Sequence, residues 1–158
     1  MLGGGARLQK SLFGSIIPAF SFKAQAGKNP FIIVTDAEAR LMMIDHLRGL
    51  FPKTCPKCQR IFPTLRDYFL NTTPVGEAVS IDLEADDLRP LRPLGSGAVS
   101  KCKCGASMVI SSDGMPLFRL WSLLLWAKYE TMRRNVTPKQ LMQSLRAEIR
   151  KQVINEGD

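Results

Sequence analysis

The sequence predicts an α+β chain, with a small antiparallel β unit between an N-terminal helix and a C-terminal helical hairpin. Three observations predict it. Residues 35–38, Thr-Asp-Ala-Glu, have the spacing of a capping box and lead into apolar residues at helical intervals. All four cysteines fall into two tight pairs, set among short strand-like runs and turn residues. Two amphipathic stretches, opened by Pro116 and by Thr137-Pro138, close the chain.

The 158 residues suffice for one modest domain with a single core. We expect that domain over 31–158, after a flexible basic segment at 1–30. Within it, 31–52 read as strand and helix, 53–111 as the β unit and 115–155 as the hairpin. A hydrophobic fraction of 45% argues against wholesale disorder. No apolar run reaches the ~18–20 residues of a spanning helix. The longest candidate, 115–127, is short and carries Arg119.

The net charge of +8 favours acidic partners such as nucleic acid or anionic membrane. It is unevenly placed. Residues 1–35 hold Arg7, Lys10, Lys23 and Lys28 and no acid, whereas 77–87 hold five acids and no base. The N-terminus has some marks of a targeting segment: a weakly basic start, an apolar stretch at 11–22 and Ala24-Gln25-Ala26 as a cleavage-like site. Gly14, Pro18, three serines and Lys23 interrupt that pattern. We therefore read a basic tail on a cytoplasmic protein, with export or import as the alternative.

Phe31-Ile32-Ile33-Val34 is a short β-like run. Thr35 then caps a helix whose stripe is Ala37, Leu41, Ile44, Leu47 and Phe51, and Pro52 ends it. Residues 64–74 suggest a short helix capped by Thr64 and stopped by Pro74. Residues 75–98 read as a strand over 78–83, a solvated acidic turn and a long Pro/Gly loop. Residues 98–111 alternate in character and suggest a β-hairpin with the second cysteine pair at its turn. In the next helix Phe118, Trp121, Leu125, Tyr129 and Met132 form one stripe, widened by Leu117, Leu120 and Leu124. So wide an apolar face needs a cover, from this chain or from a second copy. Thr137 and Gln140 make a second capping box, and Met142, Leu145, Ile149 and Val153 give the last helix its core face.

The chemistry lies in Cys55/Cys58 and Cys102/Cys104. Two thiolates separated by one tight turn can chelate a single ion, and Gly105 frees the backbone at the second pair. Two such pairs supply four soft ligands, which suits tetrahedral zinc. Four thiolates on a divalent cation leave a local charge of about −2. Lys53, Lys57, Arg60, Lys101 and Lys103 all lie within two residues of a cysteine, and no acid does. Cations there favour the thiolates. We expect one structural Zn2+ per chain and rank iron second, since four thiolates serve either. Disulfides would require an oxidising compartment, and a bridge within Cys-X-Cys is strained. A thioredoxin-like pair needs a helix continuing from it, and Pro63 cuts that helix short.

Cys55-Pro56-Lys57-Cys58 and Cys102-Lys103-Cys104-Gly105 resemble the two knuckles of the zinc-ribbon superfamily, over about residues 53–111. The resemblance implies a zinc-ribbon-like β unit organised by the metal. One residue, rather than two, separates the second pair. A Cys-X-Cys with a distant Cys-X-X-Cys is also similar to the redox-regulated holdase chaperones, although the order here is reversed.

His46, the single histidine, is expected to be structural. The segment Asp82–Asp87 lacks the spacing of a calcium loop. No Gly-rich phosphate motif follows a strand. Arg133, Arg134, Lys139, Arg146, Arg150 and Lys151 would supply phosphate contacts if the hairpin were a DNA-binding unit. A coordinatively full zinc leaves no position for substrate, so we expect no enzyme. The expected function is a zinc-binding adaptor or regulator acting through protein contacts, with Phe118, Trp121, Leu125 and Tyr129 as the contact surface and a homodimer as one form. A nucleic-acid-binding ribbon, using the five basic residues around the cysteines, and a zinc–thiolate redox switch are the alternatives.

Overall fold

The computed structural model describes residues 34–85 and 92–156. Helix α1 (Asp36–Arg48) opens with the full capping box: the Thr35 hydroxyl accepts from the Glu38 N–H, and the Glu38 carboxylate accepts from the Thr35 N–H. Its buried face is Ala39, Met43, Ile44 and Leu47. The predicted stripe was thus rotated, because Ala37 and Leu41 are exposed. Both α4 and α5 pack on α1, so the face between those two helices is the one buried. Of the expected strand at 31–34, residues 31–33 lie outside the described residues, and Val34 is buried but not in a strand.

Two short strands, β1 (Lys53–Thr54) and β2 (Ile61–Phe62), pair antiparallel and frame the first cysteine pair. Thr64 caps α2 (Leu65–Asn71) by accepting from the Asp67 N–H. The helix stops two residues earlier than expected, because Thr72 and Thr73 already belong to β3 (Thr72–Ser80). Pro74 is tolerated there since β3 is an edge strand, paired only with β4. Strands β3, β4 (Ser96–Cys102) and β5 (Ser107–Ser111) form an antiparallel meander.

Residues 81–83, expected to continue a strand, instead begin the one-turn helix α3 (Ile81–Glu84). Its Asp82 also departs from the expected solvated turn. The carboxylate is buried and accepts from the Leu94 and Gly95 N–H groups at 2.8–3.1 Å, tying α3 to the chain entering β4. A buried carboxylate is tolerable when charge-assisted bonds replace its water.

The chain ends in α4 (Leu117–Arg134) and α5 (Pro138–Glu156), joined through Asn135 in the left-handed conformation. Pro116 is the residue before α4 rather than its first turn. The Thr137–Gln140 capping box is present. Helix α5 lies along β3 and buries Leu141, Met142, Leu145, Ile149 and Val153. Helix α4 buries Leu123, Leu124, Trp126, Ala127 and Glu130. The Phe118–Trp121–Leu125–Tyr129–Met132 stripe therefore faces away from the core.

The basic residues of the hairpin do not form one phosphate-binding face. Arg146 donates to the carbonyls of Gly76 and Val99, and Arg150 to those of Phe69 and Thr72 while stacking over the Phe69 ring. Arg133 and Arg134 are bound to Glu130, Arg134 also reaches Asp36, and Lys139 pairs with Glu77. No helix among the described residues is long and apolar enough to cross a membrane.

Candidate metal centre

The first knuckle is the turn between β1 and β2. The Cys55 N–H donates to the Arg60 carbonyl at 2.9 Å, closing the loop, and the Gln59 N–H returns to the Cys55 carbonyl at 3.1 Å. Gln59 takes a left-handed conformation, φ 59°. The second knuckle is the β4–β5 turn, as the alternation at 98–111 predicts. The Cys102 N–H donates to the Ala106 carbonyl, and the Gly105 N–H to the Cys102 carbonyl at 2.8 Å. Gly105 has φ +86°, and a Cβ there would meet nothing within 4 Å. Glycine is needed for backbone conformation, not for room.

These turns bring all four sulfurs within 4.8 Å of one another. Cys55 Sγ is 3.6 Å from Cys104 Sγ, and Cys58 Sγ is 3.8 Å from Cys102 Sγ. A disulfide needs about 2.05 Å, and all four thiols are free. A tetrahedron with about 2.3 Å metal–sulfur bonds has an edge near 3.8 Å. Two of the sulfur–sulfur distances match that edge, and the cluster could hold a metal ion. Two of the four cysteines, Cys55 and Cys102, are buried, Cys104 is half-buried and Cys58 is exposed. An ion there would lie against the core on one side and near solvent on the other.

The backbone favours ionisation of one thiol. The Cys58 N–H bonded to the Cys55 sulfur is the largest influence on that thiol, and with the Lys57 N–H it outweighs burial, holding Cys55 down to about 6. At Cys58 the Arg60 N–H acts in the same sense, but the neighbouring Cys55 thiol, burial, Cys104 and Cys102 together push it up to about 11. Four thiols this close cannot all shed protons into one small volume unless a cation supplies the opposing charge.

The five predicted basic residues adjoin the cysteines in sequence. Lys57, Arg60, Lys101 and Lys103 are exposed and Lys53 is half-buried. Lys57 Nζ donates to the Cys104 carbonyl at 3.4 Å, linking the knuckles. Arg60 is partly engaged, 3.9 Å from Asp67 and stacked over Phe62. His46 stands apart, with Nε2 3.2 Å from the Ser111 carbonyl, where it ties α1 to β5. Tyr68, on α2, is fully buried, edge-on to Phe51 and to Phe62 of β2 with ring centroids 5.6 and 5.5 Å away. Sequence periodicity did not single it out.

Compared with known protein families, characterised proteins and solved structures, the chain finds no match.

Proposed function

We propose that Cys55, Cys58, Cys102 and Cys104 hold one structural zinc, and that the protein is a non-enzymatic adaptor or regulator working through protein contacts. The observation that carries the metal reading is the convergence of four sulfurs, from two knuckles far apart in sequence, at tetrahedral spacing. A bound zinc would cross-link the β1–β2 turn to the β4–β5 turn, so its binding energy would be folding energy. With all four positions filled by sulfur, no position would remain for water or substrate. The adaptor reading rests on the apolar surface of α4, where Phe118, Leu125 and Met132 are exposed.

The basic rim of the knuckles favours a second reading, nucleic-acid binding through Lys53, Lys57, Arg60, Lys101 and Lys103. Native mass spectrometry with elemental analysis of untagged protein tests the metal: one zinc per chain and four free thiols on unfolding is the expected result. Two disulfides and no metal would overturn it. Iron in place of zinc would change the cofactor and leave the ligand set standing. Fluorescence anisotropy with single- and double-stranded oligonucleotides separates the two functional readings. Binding that collapses between low and moderate salt would favour nucleic acid; none at low salt would favour the adaptor.

A further inference from the structure

Helix α4 is apolar on opposite sides. One side buries Leu123, Leu124, Trp126 and Ala127 in the core. The other carries Phe118, 68% exposed, Leu125, 40%, and Met132, 74%, with Trp121 and Tyr129 half-buried between them. A helix apolar all round is normally covered all round. The five residues are spaced three, four, four and three apart, so the stripe reads the same in both directions about Leu125. A surface that maps onto itself in this way suits an isologous two-fold contact.

We infer that this face pairs with a second copy of the chain, the two α4 helices running antiparallel with Leu125 on the two-fold axis. Phe118 then meets the partner's Met132, and Trp121 meets the partner's Tyr129. Charge permits this arrangement. Arg119 falls opposite the partner's Thr131, two positions from the partner's Arg133, and Glu130 already engages the Arg133 guanidinium within each chain. Area favours it. At about 150–250 Å2 for a large side chain, the exposed stripe offers roughly 500 Å2 per chain. Two copies bury about 1,000 Å2, the lower bound of a specific interface, before flanking residues are added. The dimer rests on the reading that the chain acts through protein contacts and makes the partner a second copy.

The test uses the full, metal-loaded chain, with oligomeric state by sedimentation velocity and zinc content on the same samples. The wild-type chain is expected to be a dimer at about 100 μM. Phe118→Glu and Met132→Lys are each expected to weaken dimerisation at least tenfold, by burying a charge against an apolar side chain. Both positions are exposed, so folding and zinc content should not change. Mixing the two variants is the decisive step. In an antiparallel pair the new glutamate meets the new lysine at one end while Phe118 and Met132 still meet at the other, so the mixture dimerises where neither variant does alone. A monomeric wild type at that concentration overturns the inference, leaving the face to another partner. Variants that stay dimeric place the interface elsewhere and also overturn it. Dissociation without rescue on mixing overturns the antiparallel arrangement. Zinc content reports separately on the proposed metal site: a zinc-loaded monomer refutes the dimer alone, and a metal-free dimer refutes the zinc alone.

Discussion

Cys55 Sγ lies 3.6 Å from Cys104 Sγ, closing a contact across 49 positions of sequence. The matching contact joins Cys58 to Cys102 at 3.8 Å. Each knuckle therefore meets the other through both of its sulfurs, and a metal at their centre would cross-link β1–β2 to β4–β5.

Removal of the proposed metal with a strong chelator is expected to lower the melting temperature and to expose the amides of 53–62 and 100–107 to hydrogen exchange first. Helices α4 and α5 should hold out longer, because neither carries one of the four cysteines and both also pack on α1. Simultaneous loss of protection in both regions would show that the metal governs the whole fold.

Among single cysteine changes, Cys102→Ser and Cys55→Ser should cost more than Cys58→Ser in the chelated protein. The first two place a hydroxyl where a buried sulfur packed, whereas Cys58 is exposed. All three should abolish stoichiometric zinc. Metal titration followed by thermal melts of the chelated forms separates the two effects.

Arg146→Met should destabilise the protein by about 1–3 kcal/mol. Strand β3 shifts register between Val75 and Val79, and the Arg146 guanidinium serves the Gly76 and Val99 carbonyls beside that break. Methionine keeps the packing and removes this donor from the Val99 carbonyl, while the Gly76 carbonyl keeps only a long bond from Gln143 at 3.5 Å. Lys151→Met, on an exposed position of the same helix, is the control. Denaturation midpoints compare them.

Gly95→Ala should be more damaging than Gly105→Ala. Both glycines have positive φ, which costs an L-residue about 1–2 kcal/mol. Only at Gly95 would the new Cβ also fall 2.1 Å from Ser112 Oγ, the atom that accepts from the Ser96 N–H. Gly105→Ala should instead show itself as weaker metal retention, read by competition with a chelator.

Glu130 gives the fold a defined acid sensitivity. Its buried carboxylate accepts from Arg133 at 2.6 and 2.9 Å and from Arg134, and the Arg133 bonds chiefly hold its pKa below the usual 4.5. A depressed carboxyl pKa contributes stability above the unfolded value, and that contribution is lost as pH falls through the folded one. The stability difference between wild type and Glu130→Gln should therefore be full above about pH 5 and shrink below 4.5. Loss of the proposed zinc in acid affects both proteins, so the difference isolates Glu130. A pH-independent difference would contradict this assignment.

The sequence by itself determined the elements whose signal is local. Thr35 and Thr137 cap helices because hydroxyl and N–H meet within one turn. The β4–β5 hairpin was legible because Gly105 and strand alternation act over a few residues. The two cysteine pairs were legible as local turns, and the structure brings their four sulfurs together. Only the tertiary structure decided the rest. It rotated the buried face of α1 toward α4 and α5, since periodicity shows that a helix has an apolar face without saying which neighbours will cover it. It turned Arg146 and Arg150 from apparent phosphate contacts into donors for backbone carbonyls, because the register break in β3 that Arg146 serves and the α2–β3 junction that Arg150 serves are invisible in composition. It drew Asp82 inward, since the N–H groups that pair it lie 12 and 13 positions further along the chain. It also left the Phe118–Met132 stripe facing outward. A helix apolar on both sides can bury only one of them in its own core, and long-range packing chooses which.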